Sequence, residues 1–485
     1  MGAPMMQAAP KTYRLANLLA AAIPFADAAS ADLPLSRLLR LSLFQVSCGM
    51  AAVLLTGTLN RVMIVELGMP AWLVALMVSL PLVFAPLRAL IGFKSDTHRS
   101  FLGWRRLPYI WFGTLMQWGG FGIMPFALFL LAGEGNAPPI VGQAGAALAF
   151  LLVGAGMHTV QTAGLALATD IAGEEQRPRV VALLYVMLLI GMVASALVLG
   201  GALRDVTYLR IIQVIQGAAV VTLALNCIAM WRQEKRDPQR TRTIVRQDFW
   251  ASWRQLTAEP DVRRLLLAVG LGAAAFSMQD VLLEPYGGQV LGLSVGATTA
   301  LTALSAGGAL AGFALAAFLL TGGANPHRLA GFGAVIGAFA FALVILADPL
   351  ESALMFAAGA GAIGFGGGLF SVGSLTAAMQ LQRRSGDGAL IDSGLIVGAW
   401  GAAQATAAGI AIAAGGMIRD LVSLWGASGA LGEAFTRPAA GYGVVYHIEI
   451  VLLFAAIAVI GPLARYRSRD TMSTGKKFGL VEFPT

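Results

Sequence analysis

The stretch Gly92–Arg106, GFKSDTHRSFLGWRR, decides how the rest of this chain is read. It gathers Lys94, Asp96, Arg99, Arg105 and Arg106 between two long apolar runs, 71–93 and 107–132. Each run meets the ~20 mostly apolar residues that a helix needs to cross a bilayer. Lys and Arg in a short loop between two such runs stay on the cytoplasmic side. The loop therefore marks the inside of the membrane, and every other segment is placed against it.

Composition agrees. The chain is 57% hydrophobic and only 12% charged, with a mean hydropathy of +0.75. A soluble domain carries about twice that charge. The 59 glycines suit helices that approach closely in lipid, where small residues let backbones touch. The net charge of +8 does not point to nucleic acid, because the basic residues lie at the ends of apolar runs as topology signals. Cys48 and Cys227 both lie inside apolar runs, so no disulfide framework is implied. The first residues carry Lys11 and Arg14 and a short apolar patch ending at Pro24. That pattern reads as an interfacial segment and not as a cleavable signal peptide.

Hydropathy predicts spans at 38–59, 71–93, 107–132, 143–168, 180–201 and 209–231, then at 265–283, 296–320, 329–347, 353–379, 394–417 and 444–463. The expected fold is an all-α integral membrane protein of 12 transmembrane helices in two six-helix bundles, both termini cytoplasmic. Its divisions are an interfacial segment 1–37, a first bundle 38–231, a linker 232–264, a second bundle 265–463 and a tail 464–485. The linker holds nine Lys/Arg and five Asp/Glu. With both termini inside, 28 of the 33 Lys/Arg residues fall on the inner side, leaving Arg61, Arg204, Arg210, Arg419 and Arg437 outside. A short internal repeat aligns Leu59–Ile64 with Met278–Leu283, 219 positions apart.

Within the opening loop, Gly92, Asp96, Gly103, Arg105 and Arg106 resemble the cytoplasmic signature of the major facilitator superfamily. The resemblance implies that these residues clamp helix ends on the cytoplasmic side in one transport state. About four extra residues separate Asp96 from Gly103, and the second-half equivalent, Gly322–Arg328, has lost its acid. A weakened gate is expected.

Ionisable groups inside a span are costly, about 2.5–3.5 kcal/mol each on insertion scales. Arg61 and Asp280 occupy equivalent positions in the repeat. They are read either as separate headgroup-level residues or as a charge bridge between the bundles, with Glu66 and Glu284 as alternative partners for Arg61. His158 is the histidine deepest within a span, with Gln161 on the same helix face. Either a neighbouring helix satisfies it, or it ligates the magnesium of a chlorin or relays protons. The tenth span is crowded with glycines, Gly364 and Gly367 among them. They serve tight packing or leave a groove for a flat macrocycle or a partner helix, with Phe365 and Phe370 as stacking surface.

Four stretches carry a closer resemblance: Pro24–Ser30, the run from Leu38, the run from Ser95, and MQDVLLEPYGGQVLGLSVGATT from Met278. Together they resemble the bacteriochlorophyll-delivery branch of the superfamily across both halves. What this implies is an assembly factor and not an enzyme, in the bacterial inner, intracytoplasmic photosynthetic membrane. It would receive bacteriochlorophyll from the enzymes that make it and promote its insertion into the single-span α and β antenna polypeptides. The wording of the N-terminal stretches is closest to members serving the peripheral antenna; related members serve the core antenna. The basic tail is expected to meet anionic membrane lipids. Two other readings stay open. One is a proton-coupled secondary transporter of a small solute or porphyrin, for which His158, Gln161, Asn226 and Gln404 make a thin polar inventory. The other is a scaffold that binds no pigment.

Overall fold

The computed structural model describes residues 33–83, 91, 95, 103–133, 138–172, 177–203, 207–234, 254, 256–384 and 393–466. Most of the N-terminal segment, Gly92 and Asp96, most of the linker and the tail from 467 lie outside the described residues. The described chain is helical throughout. In the first half the helices are α1 Leu35–Glu66, α2 Ala71–Val83, α3 Leu107–Leu131, α4 Pro139–Ile171, α5 Arg177–Ala202 and α6 Tyr208–Met230. In the second they are α7 Pro260–Gln289, α8 Val295–Thr321, α9 Pro326–Ala347, α10 Ala353–Arg384, α11 Ser393–Ala427 and α12 Ala439–Tyr466. Among the described residues eleven helices are long and apolar enough to cross a membrane, and α2 is a shorter apolar helix.

Helix starts follow local chemistry. Proline opens α4, α7 and α9, where its missing N–H costs nothing. Thr207, Ser294 and Asn325 cap α6, α8 and α9 by accepting free N–H groups of the first turn.

The packing repeats with a shift of six helices. In the first bundle α3 packs on α4 and α6, and α1 on α5 and α6. In the second, α9 packs on α10 and α12, and α7 on α11 and α12. Glycine pairs set the closest crossings in both. A β-carbon on Gly113 would lie 2.8 Å from the Gly156 carbonyl oxygen across α3–α4, and one on Gly333 would lie 2.6 Å from the Gly366 carbonyl oxygen across α9–α10. Only a residue without a side chain fits there.

The bundles join through α2 against α11 and α5 against α8. At the end opposite the basic loop, hereafter the outer end, one continuous core runs across both. It includes Leu54, Met63, Val74 and Phe121 from the first half with Val281, Tyr286, Ile412 and Tyr446 from the second. At the end that carries Arg105 and Arg106, the one expected from its charge to be cytoplasmic and so named below, the core divides. Leu38, Phe44, Ile110, Leu167 and Leu184 pack within the first bundle, and Leu256, Val262, Leu265, Ala377 and Ile396 within the second.

Candidate functional site

The polar residues singled out in the sequence meet where α1 and α7 lose regular helical form. In α1, two π-helical turns, Val53–Thr58 and Val62–Glu66, flank the short α-helical turn Leu59–Arg61. In α7 the helix tightens to 3₁₀ over Met278–Val281 before resuming at Leu283. Such departures turn side chains and free main-chain groups, and they recur at functional positions. Here they bring the bundles together: Asn60 Nδ2 donates to the Asp280 carbonyl oxygen at 3.2 Å.

Arg61 and Asp280 are not paired in the structure. The Arg61 guanidinium donates to Glu66 Oε1 at 2.6 Å and to the Leu293 carbonyl oxygen at 3.0 Å. Asp280 Oδ1 instead accepts from Gln279 Nε2 at 2.8 Å. Nor is Arg61 solvated at headgroup level, because it is buried. The reason is geometric. The extra residues of the π turns carry Arg61 past Asp280 toward the α7–α8 connection, so it bridges the bundles through a main-chain carbonyl. Glu284 is also buried. Thr302 Oγ1 donates to one of its carboxylate oxygens, and Thr299 Oγ1 to the other at 3.4 Å. Gly57 faces this carboxyl group directly and has no room for a side chain.

A second bridge lies beside the first. Asp420 on α11 accepts the Trp72 main-chain N–H at 2.7 Å, capping α2 from the other bundle. Arg419 holds Asp420 at 2.6 Å and reaches Gln289 Oε1 at 2.6 Å. Nearby, Gly416 lets α11 approach Ala71 and Ala75 of α2, and Gly200 lets α5 approach Gly296 of α8.

His158 lies buried on α4 with both ring nitrogens covered. Gln161 reaches Gln45 of α1 at 3.4 Å. Beside them Asn226 of α6 bonds Ser47 at 2.7 Å and Thr114 at 3.0 Å, joining α1, α3 and α6. The α10 glycines are filled by neighbouring helices. Gly364 and Gly368 face α8 backbone, Gly366 and Gly373 face α9 backbone, and Gly367 lies against Phe276. Phe370 is buried on Gly272 and Phe276, and Phe365 packs against α8. The tenth helix therefore has no open groove over these residues.

At the cytoplasmic end Gly103 takes a left-handed conformation, φ 74°. Arg105 and Arg106 both engage Asp170 at the end of α4, at 2.8 and 3.1 Å, and Arg106 donates to Ser95 at 2.5 Å. Glu234, just past α6, accepts the main-chain N–H groups of Arg105, Arg106 and Leu107. These contacts tie helix ends within the first bundle. In the second bundle Asn325 caps α9 and donates to the Ala464 carbonyl oxygen at the end of α12 at 3.5 Å. An amide stands where the acid is missing.

The sequence reading passed over Asp170, Glu234, Asp420 and Glu449. Asp170 carried the only usable signal, as an acid at the cytoplasmic end of the predicted fourth span.

A model of the family described as PUCC protein matches residues 58–468. The chain belongs to the PucC family. Protein PucC of Rhodovulum sulfidophilum is 57% identical over 85% of this chain and 91% of its own length. A Rhodobacter capsulatus protein from the puhA–bchM intergenic region, described as uncharacterized, is 54% identical over 96% of this chain and 97% of its own length. Among solved structures, the inward-facing bacterial homologue of the human lysosomal transporter Spinster superposes with a TM-score of 0.66 at 15% identity. It covers 91% of this chain and 98% of that one. The likeness establishes the major-facilitator fold, and with the long apolar helices it makes this member of the PucC family a multi-pass bacterial membrane protein.

Proposed function

We propose that the protein is an assembly factor for a light-harvesting antenna of a purple photosynthetic bacterium, acting in the intracytoplasmic membrane. The observation that carries this reading is family membership over residues 58–468, which takes in both bundles. The partners are the single-span α and β antenna polypeptides and the enzymes that supply bacteriochlorophyll as cargo. The small-residue face offered to a partner helix is not on α10, whose glycines are filled, but on α3. There Gly119 and Gly122 have open space beside them, between exposed Trp111, Leu115, Trp118 and Phe126. A single helix meets such a face through close backbone approach flanked by aromatic contacts.

Two relatives of similar identity, one named PucC and one not, do not separate a peripheral from a core antenna. The test does. The corresponding gene is deleted in a purple bacterium and this chain is supplied in its place. Near-infrared absorption of the membranes should show an antenna lost on deletion and restored on complementation, and the band that responds names the complex. A deletion that leaves both antennas at full level would overturn the assembly reading. Gly119→Leu with Gly122→Leu should abolish co-purification of the antenna polypeptides while leaving folded yield intact.

The fold is also that of secondary transporters, and one observation favours keeping that reading. Buried Glu284 and Glu449, with half-buried Asp280, enlarge the polar inventory beyond His158, Gln161, Asn226 and Gln404. Uptake of a porphyrin or small solute into proteoliposomes under an imposed proton gradient tests it.

A further inference from the structure

Among the described residues, Glu449 is the carboxyl group with the least company. It lies on α12, fully buried, and no side chain donates a hydrogen bond to either oxygen. α12 packs there against the 3₁₀ turn of α7, where the Gln279 main chain and the Asp280 carboxyl lie within its electrostatic reach. Other orphans surround the same turn. Gln279 Oε1, Asn60 Oδ1 and the Tyr446 hydroxyl are all buried without partners. Buried polar groups are almost always hydrogen-bonded, so several exceptions around one turn require a cause.

An ionised Glu449 in this fully buried position would carry a desolvation penalty of several kcal/mol, and an ionised Asp280 on the neighbouring turn would repel it. Among the described residues, no cation on the surrounding helices is free to offset this charge. On α1, Arg61 is committed to Glu66 and the Leu293 carbonyl. On α11, Arg419 is committed to Asp420, Gln289 and Tyr442. The remaining titratable groups facing the pair are Glu284 and Tyr286 on α7 and Tyr442 and Tyr446 on α12, while α9 presents the Phe341 ring. A proton resolves the conflict. It turns a Glu449 oxygen into a donor and gives that donor Asp280 or Gln279 Oε1 as acceptor.

We propose that Glu449 is a proton-binding site at the junction of α1, α7 and α12, holding a proton against the 3₁₀ turn of α7. The site stands apart from antenna assembly and does not rest on it. Its placement gives the proton leverage, because the Asp280 main chain is where Asn60 of the first bundle attaches. Loss of the proton would put a second charge into the joint that closes the outer end.

Infrared difference spectroscopy of the full-length protein in lipid nanodiscs tests this. At neutral pH the spectrum should contain the carbonyl stretch of a protonated carboxylic acid, shifted in deuterium oxide. That band should vanish in Glu449→Gln and be lost or displaced in Asp280→Asn. It should persist in Glu284→Gln, whose carboxyl has its own threonine partners. A band in Glu449→Gln identical to that of the unaltered protein would overturn the proposal. So would the absence of any protonated-carboxyl band from the unaltered protein, which needs no variant to fold. If Glu449→Gln does not fold, ¹³C-glutamate labelling of Glu284→Gln decides: a shifted band supports the site, and an unshifted one overturns it.

Discussion

The two ends of the molecule are built on different plans. At the outer end the bundles share one core and two polar bridges, Arg61 to the Leu293 carbonyl and Asp420 to the Trp72 N–H. At the cytoplasmic end each bundle keeps its own core, and Arg105, Arg106 and Glu234 spend their charge inside the first bundle. The same kinds of residue thus do opposite work. Outside they hold two bodies together, and inside they tie the helix ends of one body. Closure at one end with separation at the other makes the outer end the joint between the bundles.

Four substitutions probe that contrast, in descending size. Gly364→Leu forces a side chain into the Ser305 carbonyl of α8. Overpacking of this kind costs about 3 kcal/mol, and since it strikes a bundle core, monodisperse yield in detergent should collapse. Arg61→Ala removes the buried outer bridge. It should cost about 2 kcal/mol in thermal unfolding and widen the distance between spin labels on Val198 and Leu424 at the outer ends of α5 and α11. An unchanged distance would place the joint in the apolar core alone. Asp420→Ala uncaps α2 for about 1 kcal/mol, with smaller widening at the same labels. Arg105→Ala breaks a clamp that is partly exposed. It should cost below about 1 kcal/mol and leave the outer distance unchanged. If it widened the outer end, the two ends would not be independent.

Much of this was legible in the chain. Hydropathy gave the helices, because the cost of polar backbone in lipid leaves few alternatives. The Arg61–Asp280 alignment pointed to the right joint, and of the partners considered for Arg61 it is Glu66, not Asp280, that pairs with it. Residue spacing assumes 3.6 residues per turn, and α1 breaks that rule on both sides of Arg61. The α10 glycines had the right property and the wrong use, since a glycine face looks the same in sequence whether another helix or lipid covers it. Glu449 draws no reading from sequence, since it falls near the start of the predicted last span, two residues past His447. Only the neighbours brought in by α7 and α9 make it a buried one.

The π turns of α1 also bear on how this helix tolerates changes of length. Elsewhere in a membrane helix, deleting one residue rotates everything beyond it by about 100° and strips the far end of its contacts. A π turn already carries surplus chain. A residue lost from Val53–Thr58 lets ordinary α-helical bonds close in its place, and Asn60 and Arg61 keep their bearing on Asp280 and Leu293. Single-residue insertions and deletions among natural variants should therefore gather in this segment of α1, and not in α3 or α10.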